Sequence, residues 1–378
     1  MANKNLYLDL NVIQTVPSSN INRDDTGAPK TAIYGGVTRA RVSSQAWKQA
    51  IRHSFKESGV KRGSRTREAA KLLTEKIMEL DASLDQDAAN EKSHQIFIAA
   101  GITFDKKEKN KTRALLFVSP GQIEKLAQFA VSHDDLDVSK KNKAMPEKVK
   151  KELKRDVKKA INNENTLDLA LFGRMVADNP ELNVEGTAQV AHAISTHEIV
   201  PEFDYYTALD DLKGDDTNGA GFIGTSEFNS STLYRYANIN VRELAGNLGD
   251  DNAITGAADF IKSFILSMPT GKENSYANKT LPNYVLITVR TDTPVNLVSA
   301  FEEPVQSKDG YLKNSVKKLE DEYQSTLRFV LDQPIETIAL SESKTESEIE
   351  NQATNLPDLI DQVTEVLEKA VQDENTND

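Results

Sequence analysis

The chain has 378 residues, with 46 Lys plus Arg against 58 Asp plus Glu, a formal charge of −12 and no cysteine. That length predicts two to three compact units at roughly 150 residues each, or one domain with large insertions. The missing thiols exclude disulfides, thiolate metal sites and a cysteine nucleophile. A 38% hydrophobic and 28% charged composition is that of a globular protein toward the polar end. No apolar run approaches the roughly 18 to 20 residues of a membrane span. Residues Met1 to Asn11 read as an alternating strand instead of a basic-then-apolar leader, so a cytoplasmic protein without a membrane partner is expected.

In chain order, Leu6, Leu8, Leu10 and Val12 alternate with Tyr7, Asp9 and Asn11, which predicts a first strand with one buried face. Pro17 to Val42 is rich in Ser, Asn, Asp, Gly and Pro, with Gly35-Gly36 near its middle, and reads as a long functional loop. Ser43-Ser44 offers an N-cap to a helix running through Glu57. Its apolar face carries Ala46, Trp47, Ala50, Ile51 and Phe55, and Lys48, Arg52 and Lys56 at four-residue intervals form a cationic stripe. Residues 64–165 read as a mostly helical, highly charged insertion, with helices over 66–80, 119–129 and 146–161. A short apolar segment, 166–175, closes at Gly173, and 187–198 (TAQVAHAISTHE) reads as a further helix. After Pro201, Tyr205-Tyr206, a Gly- and Asp-rich stretch and the alternating strand TLYRYANINV predict a protruding loop or hairpin. A helix over 254–268, a buried strand over 283–291, a polar helix around 315–328 and an amphipathic helix after Pro357 complete the fold. The last six residues, DENTND, are expected to be disordered.

The charge is unevenly spread. Residues 1–67 hold 12 basic and 4 acidic residues, a net +8, whereas residues 331–378 hold 13 acidic and 2 basic, a net −11. Residues 140–159 add ten cations against three acids. Such asymmetry points to polyanion contact despite the acidic total. Between Lys30 and Lys56 no Asp or Glu occurs, and Arg23, Lys30, Arg39, Arg41, Lys48 and Arg52 can converge on one groove. Ser43, Ser44 and Gln45 at the helix entrance add hydroxyl, amide and N–H donors suited to phosphate or sugar. Met175, Tyr205 and Tyr206 offer surfaces that could stack on exposed bases, although each taken alone is more often a core residue.

Three other patterns carry less. GAGFIG at 219–224 satisfies the dinucleotide fingerprint but lacks the strand before it and the helix after it. His192 and His197 are five apart, about 140° on a helix, which does not suit a shared metal. Asp24-Asp25 could hold Mg²⁺ for phosphodiester cleavage, but with no further carboxylate nearby Asp24 is expected to brace its own loop.

The stretch NINRDDTGAPKTAIYGGVTRARVSSQAWKQAIR resembles the N-terminal motif of the CasC family, the repeated backbone subunit of the type I-E CRISPR Cascade complex. ALFGRM, AQVAHAISTHEI, YYTALDDL, GTSEFNSSTLYRYANIN and FEEPVQSKDGYL follow in the family's order, so the resemblance runs from Leu6 to about Leu331. It implies an α+β fold: an RRM-like, ferredoxin-type palm from 1–60 and 240–340, a helical finger insertion over 61–200, a thumb hairpin over 201–239 and an acidic C-terminal segment over 341–378. It also implies a non-catalytic role without cofactor or metal. The expected partners are CRISPR RNA, further copies of the chain, other Cascade subunits and, through the guide, target DNA. On this sequence the RNA-binding set is then Arg23, Lys30, Arg41, Ser43, Gln45, Lys48 and Arg52, with Met175, Tyr205, Tyr206 and Thr207 flanking a displaced nucleotide. Lys150, Lys151 and Lys154 are the expected DNA contacts. A metal-dependent ribonuclease using Asp24 or Asp25 is the alternative.

Overall fold

The first strand, β1 (Tyr7–Ser19), buries both of its faces. Leu8, Leu10 and Val12 on one side and Asp9, Asn11 and Ile13 on the other are all within 2% of complete burial. The expectation of one wet face is thereby corrected, because the polar alternates form a buried network. The computed structural model describes residues 5–138, 142–143, 145–208, 222–342 and 347–375. Where an extended loop is expected, β2 (Thr31–Tyr34) and β3 (Val37–Val42) form an antiparallel hairpin. Its two turn residues, Gly35 and Gly36, have φ of 60° and 78°, the left-handed pair a tight hairpin requires. Helix α1 (Ser44–Glu57) follows, with Ser43 Oγ 3.4 Å from the Ala46 amide.

Next come β4 (Ser64–Thr66), α2 (Ala69–Leu80), α3 (Gln86–Ala99), β5 (Leu116–Val118), α4 (Pro120–Val131), α5 (Glu147–Asn162) and α6 (Leu167–Phe172). The segment 187–198, expected to be helical, instead gives the short strands β6 (Ala188–Val190) and β7 (Ala193–Ser195). Strand β7 lies between β3 and the long β9, so neither of its faces shows polar alternation that would mark it as a strand. The chain continues through β8 (Glu202–Ala208), β9 (Phe222–Asn240), α7 (Val241–Leu248), α8 (Asp250–Leu266), α9 (Glu273–Tyr276), β10 (Tyr284–Arg290), α10 (Leu312–Thr326), β11 (Glu336–Ser341) and α11 (Leu356–Asn375).

These elements form two compact units, residues 1–54, 189–242 and 254–378 in one and 55–188 with 243–253 in the other. The first unit holds an antiparallel sheet in the order β11-β10-β1-β9-β7-β3-β2, with β8 also paired to β9. On one face the Arg235 guanidinium lies 3.8 Å from the Trp47 ring centroid and 4.5 Å from that of Phe264, and donates to Gln14 Oε1 at 2.6 Å. Burial lowers its pKa to about 9. On the other face Asp9 pairs with Arg290 at 3.2 Å and accepts from the Tyr236 hydroxyl at 2.8 Å and the Val295 amide at 3.1 Å. Desolvation pushes the Asp9 carboxyl up to about 6. Tyr234, Tyr284, Phe301, Leu319 and Tyr323 complete this core. The acidic C-terminal segment is part of the unit: β11 pairs with β10, and α11 packs on β10 and β11 with Leu359, Val363, Leu367 and Val371 buried.

The second unit has its own core, including Leu73, Ile77, Ile96, Phe97, Leu126, Val157 and Ile161. A Ser119–Gln122 capping box starts α4. The buried Arg174 donates to the Leu182 carbonyl and Asn162 Oδ1, each at 2.8 Å, and to the Phe117 carbonyl at 3.2 Å. No described helix is long and apolar enough to cross a membrane.

Candidate nucleic-acid interface

In the first unit the cationic residues stand on the loop before β2, on β3 and on α1. Arg23 is exposed and bridges Pro29 through the backbone. The turn between them is braced by Asp24, whose Oδ1 accepts from the Thr26 amide at 2.9 Å, the Thr26 hydroxyl at 2.8 Å and the Ala28 amide at 3.1 Å. These bonds hold the Asp24 carboxyl below its ordinary pKa, led by the Thr26 hydroxyl. Asp24 therefore shapes the loop through the backbone. Among the described residues no group of three or more His, Asp or Glu gathers as a metal site.

The Lys30 amide donates to the Asn22 carbonyl and the Arg41 amide to the Lys30 carbonyl, each at 2.9 Å, which lines the loop up beside β3. Lys30 and Arg41 consequently border one small depression together with Asn22, Asn229 and Ser231. Ser43 is buried, and its amide donates to Asn22 Oδ1 at 2.8 Å, tying the start of α1 to the same loop. Gln45, Lys48 and Arg52 follow at three- and four-residue steps on one helix face. Gln45 is exposed and Lys48 and Arg52 are half-buried, with burial pulling the Lys48 ammonium below its ordinary pKa.

Arg39 departs from the expected cluster. It has no exposed surface, and its fork donates to the carbonyls of Tyr34 (3.1 Å), Ser195 (2.9 Å) and Phe301 (2.8 Å). It is a core arginine satisfied by carbonyls, not a surface cation.

The hairpin of β8 and β9 projects large side chains into solvent. Phe203 is 67% exposed, Tyr205 65%, Tyr206 45% and Phe222 58%. Strand alternation sets Phe203, Tyr205 and Thr207 on one face and Tyr206 on the other. The Tyr206 ring tilts against Phe222, centroids 6.1 Å apart, and lies over Gly224, its register partner. Residues 209–221, which include the start of the GAGFIG stretch, lie outside the described residues, as do Lys140, Lys141 and residues 376–378.

In the second unit Met175 is 81% exposed, directly after the buried Arg174. On α5 the three expected DNA-contacting lysines divide. Lys151 and Lys154 are exposed and border a concave surface of about 500 Å³ with Arg155, Lys158, Lys159, Asn162, Asn163 and Glu181. Lys150 is buried beside Leu153, Val157 and Ile161, donates to the Asn142 carbonyl and stands 3.7 Å from Glu147. It is thus corrected to a packing residue. Arg155, Lys158 and Lys159 border the same groove without belonging to the expected set, and the helix face they share with Lys151 and Lys154 is the sequence signal for them.

Residues 8–365 match the family model described as CT1975-like protein. The chain belongs to that family. It is also similar to a chain of a solved structure described as "CRISPR RNA-guided surveillance complex, pre-nicking". That match has 32% identity and a TM-score of 0.81, and covers 96% of this chain and 100% of the other. A second chain, from a "CRISPR RNA-guided surveillance complex", is 29% identical with a TM-score of 0.71, covering 95% and 99%. No curated protein matches the chain.

Proposed function

We propose that the chain is a non-catalytic guide-RNA-binding backbone subunit of a type I-E Cascade surveillance complex. The observation that carries this reading is the near full-length similarity, at 32% identity, to a chain of a CRISPR RNA-guided surveillance complex. In this reading residues 1–60 and 240–340 act as an RRM-like palm, 61–200 as a helical finger, 201–239 as a thumb hairpin and 341–378 as an acidic C-terminal segment. Copies assemble along one CRISPR RNA beside other Cascade subunits. Arg23, Lys30, Arg41, Gln45, Lys48 and Arg52 hold the backbone, whose phosphates carry no sequence information, so any guide is accepted. Ser43 supports them by anchoring the entrance of α1. The exposed Tyr205, Tyr206 and Thr207 of the first unit, and separately the exposed Met175 of the second, each offer a face to a displaced base, leaving the remaining bases to pair with target DNA. The groove of Lys151 and Lys154 on α5 suits the DNA backbone.

Charge reversal of both Lys48 and Arg52 is expected to weaken RNA binding equally for all sequences. The salt dependence should flatten by about one unit of log–log slope per lost phosphate contact. Unchanged affinity in that double variant would sink the reading. Incubating the assembled particle with matching RNA and Mg²⁺ tests the catalytic alternative: cleavage that Asp24→Ala abolishes would replace a binding role with a ribonuclease, and intact RNA keeps the binding role.

A further inference from the structure

Arg41 is held at two of its nitrogens. Nε donates to the Thr31 carbonyl at 2.9 Å, and Nη1 stands 3.1 Å from His192 Nδ1. A guanidinium has donors only. His192 Nδ1 must therefore be the acceptor, which puts the ring proton on Nε2 and leaves the imidazole neutral. Desolvation, Arg41 and Lys30 all lower the His192 pKa below its ordinary value, in keeping with a neutral ring. The fold delivers this ring from the turn between β6 and β7, two residues before Ile194, which is the register partner of Arg41 on β3. A surface arginine otherwise spreads over many rotamers, and fixing it in advance lowers the entropy lost on binding.

We propose that His192 is a positioning residue that aims Arg41 at one phosphate of a bound RNA strand, with Lys30 as the second cation of that phosphate subsite. The proposal rests on the RNA-binding reading above. It accounts for why a histidine stands beside two cations: as a neutral acceptor it orders one of them without adding charge.

The test uses the full chain and a mixed-sequence single-stranded RNA, comparing the dissociation constants of wild type, Arg41→Gln, His192→Phe, His192→Asn and the Arg41→Gln/His192→Phe double variant. Arg41→Gln and His192→Phe should each weaken binding about three- to tenfold, the range of one hydrogen bond. His192→Asn, whose amide oxygen can replace Nδ1, should bind within about twofold of wild type. The double variant should be no weaker than Arg41→Gln alone. If Arg41→Gln weakens binding and His192→Phe does not, or if the two losses add fully, the positioning role is wrong while RNA binding stands. If Arg41→Gln itself has no effect, the phosphate subsite fails together with the assignment of Arg41 to RNA. Nitrogen-15 NMR of the wild type, which depends on no variant folding, should show the Nε2-protonated tautomer of His192 at pH 7; protonation at Nδ1 would overturn the inference.

Discussion

Tyr206 is seated by an absence of atoms opposite it. A Cβ on Gly224 would stand 2.5 Å from Tyr206 Cζ, so only glycine lets the ring lie against the hairpin, where it is tilted against Phe222. Because the ring is half exposed it can swing away, and Gly224→Ala is expected to cost less than about 1 kcal/mol of stability. The same change should alter the fluorescence of 2-aminopurine at displaced positions of a guide held in the assembled particle. An unchanged signal with an unchanged melting temperature would show that the seat is not used. How far such residues are legible in sequence depends on what surrounds them. Arg39 and Arg41 are two apart on β3 and so share a strand face, yet the first is sealed by the carbonyls of Ser195 and Phe301 and the second reaches His192. Residue type and spacing are the same for both, and only the tertiary neighbours separate them. Lys150 is a different case, because its place in phase with Leu153, Val157 and Ile161 is visible in the sequence and marks it as inward-facing.

At the level of elements, α5 offers a direct comparison. Replacing Lys151 and Lys154 with Glu should lower affinity for duplex DNA, steeply with salt, and leave guide-RNA association and the melting temperature nearly unchanged. Lys150→Glu should do the reverse, losing about 2 to 4 kcal/mol of stability as a carboxylate meets the Asn142 carbonyl in a buried position. Denaturant midpoints and DNA titrations on both variants check this, and equal effects would contradict the inward placement of Lys150. Long helices such as α2, α4 and α5 are readable because their apolar period persists over several turns. The strands β6 and β7 are three residues each and buried between neighbours, too short to display a period. The β2–β3 hairpin did leave a local sign, the Gly35-Gly36 pair, which a composition count over the whole loop dilutes.

For the whole molecule the −12 total is misleading in both directions. The acidic end is structural as well as charged. Ending the chain after Leu331 removes β11 and α11, and with them Ile338, Leu359, Val363 and Leu367, all at or below 1% exposure. At about 1.5 to 3 kcal/mol for each side chain, that loss approaches the whole stability of an ordinary domain. The truncated protein is expected to lose its cooperative melting transition by circular dichroism and to aggregate through the uncovered β10 edge. A truncated chain that melts cooperatively near the full-length temperature would show that the segment is dispensable.

Strand β9 is unusually long, 19 residues, and belongs to the sheet core at one end and to the exposed hairpin at the other. Ser231 borders the depression of Lys30 and Arg41, and Gly224 lies beneath Tyr206, so both stand on one strand, seven positions apart. At about 3.3 Å per residue that interval is about 23 Å of paired backbone. The strand therefore works as a ruler. Lengthening it would require matched insertions in β8 and β9, two residues at a time, since a single added residue turns every side chain beyond it to the opposite face. Point mutation can change the side chains at either end, but not the spacing between them.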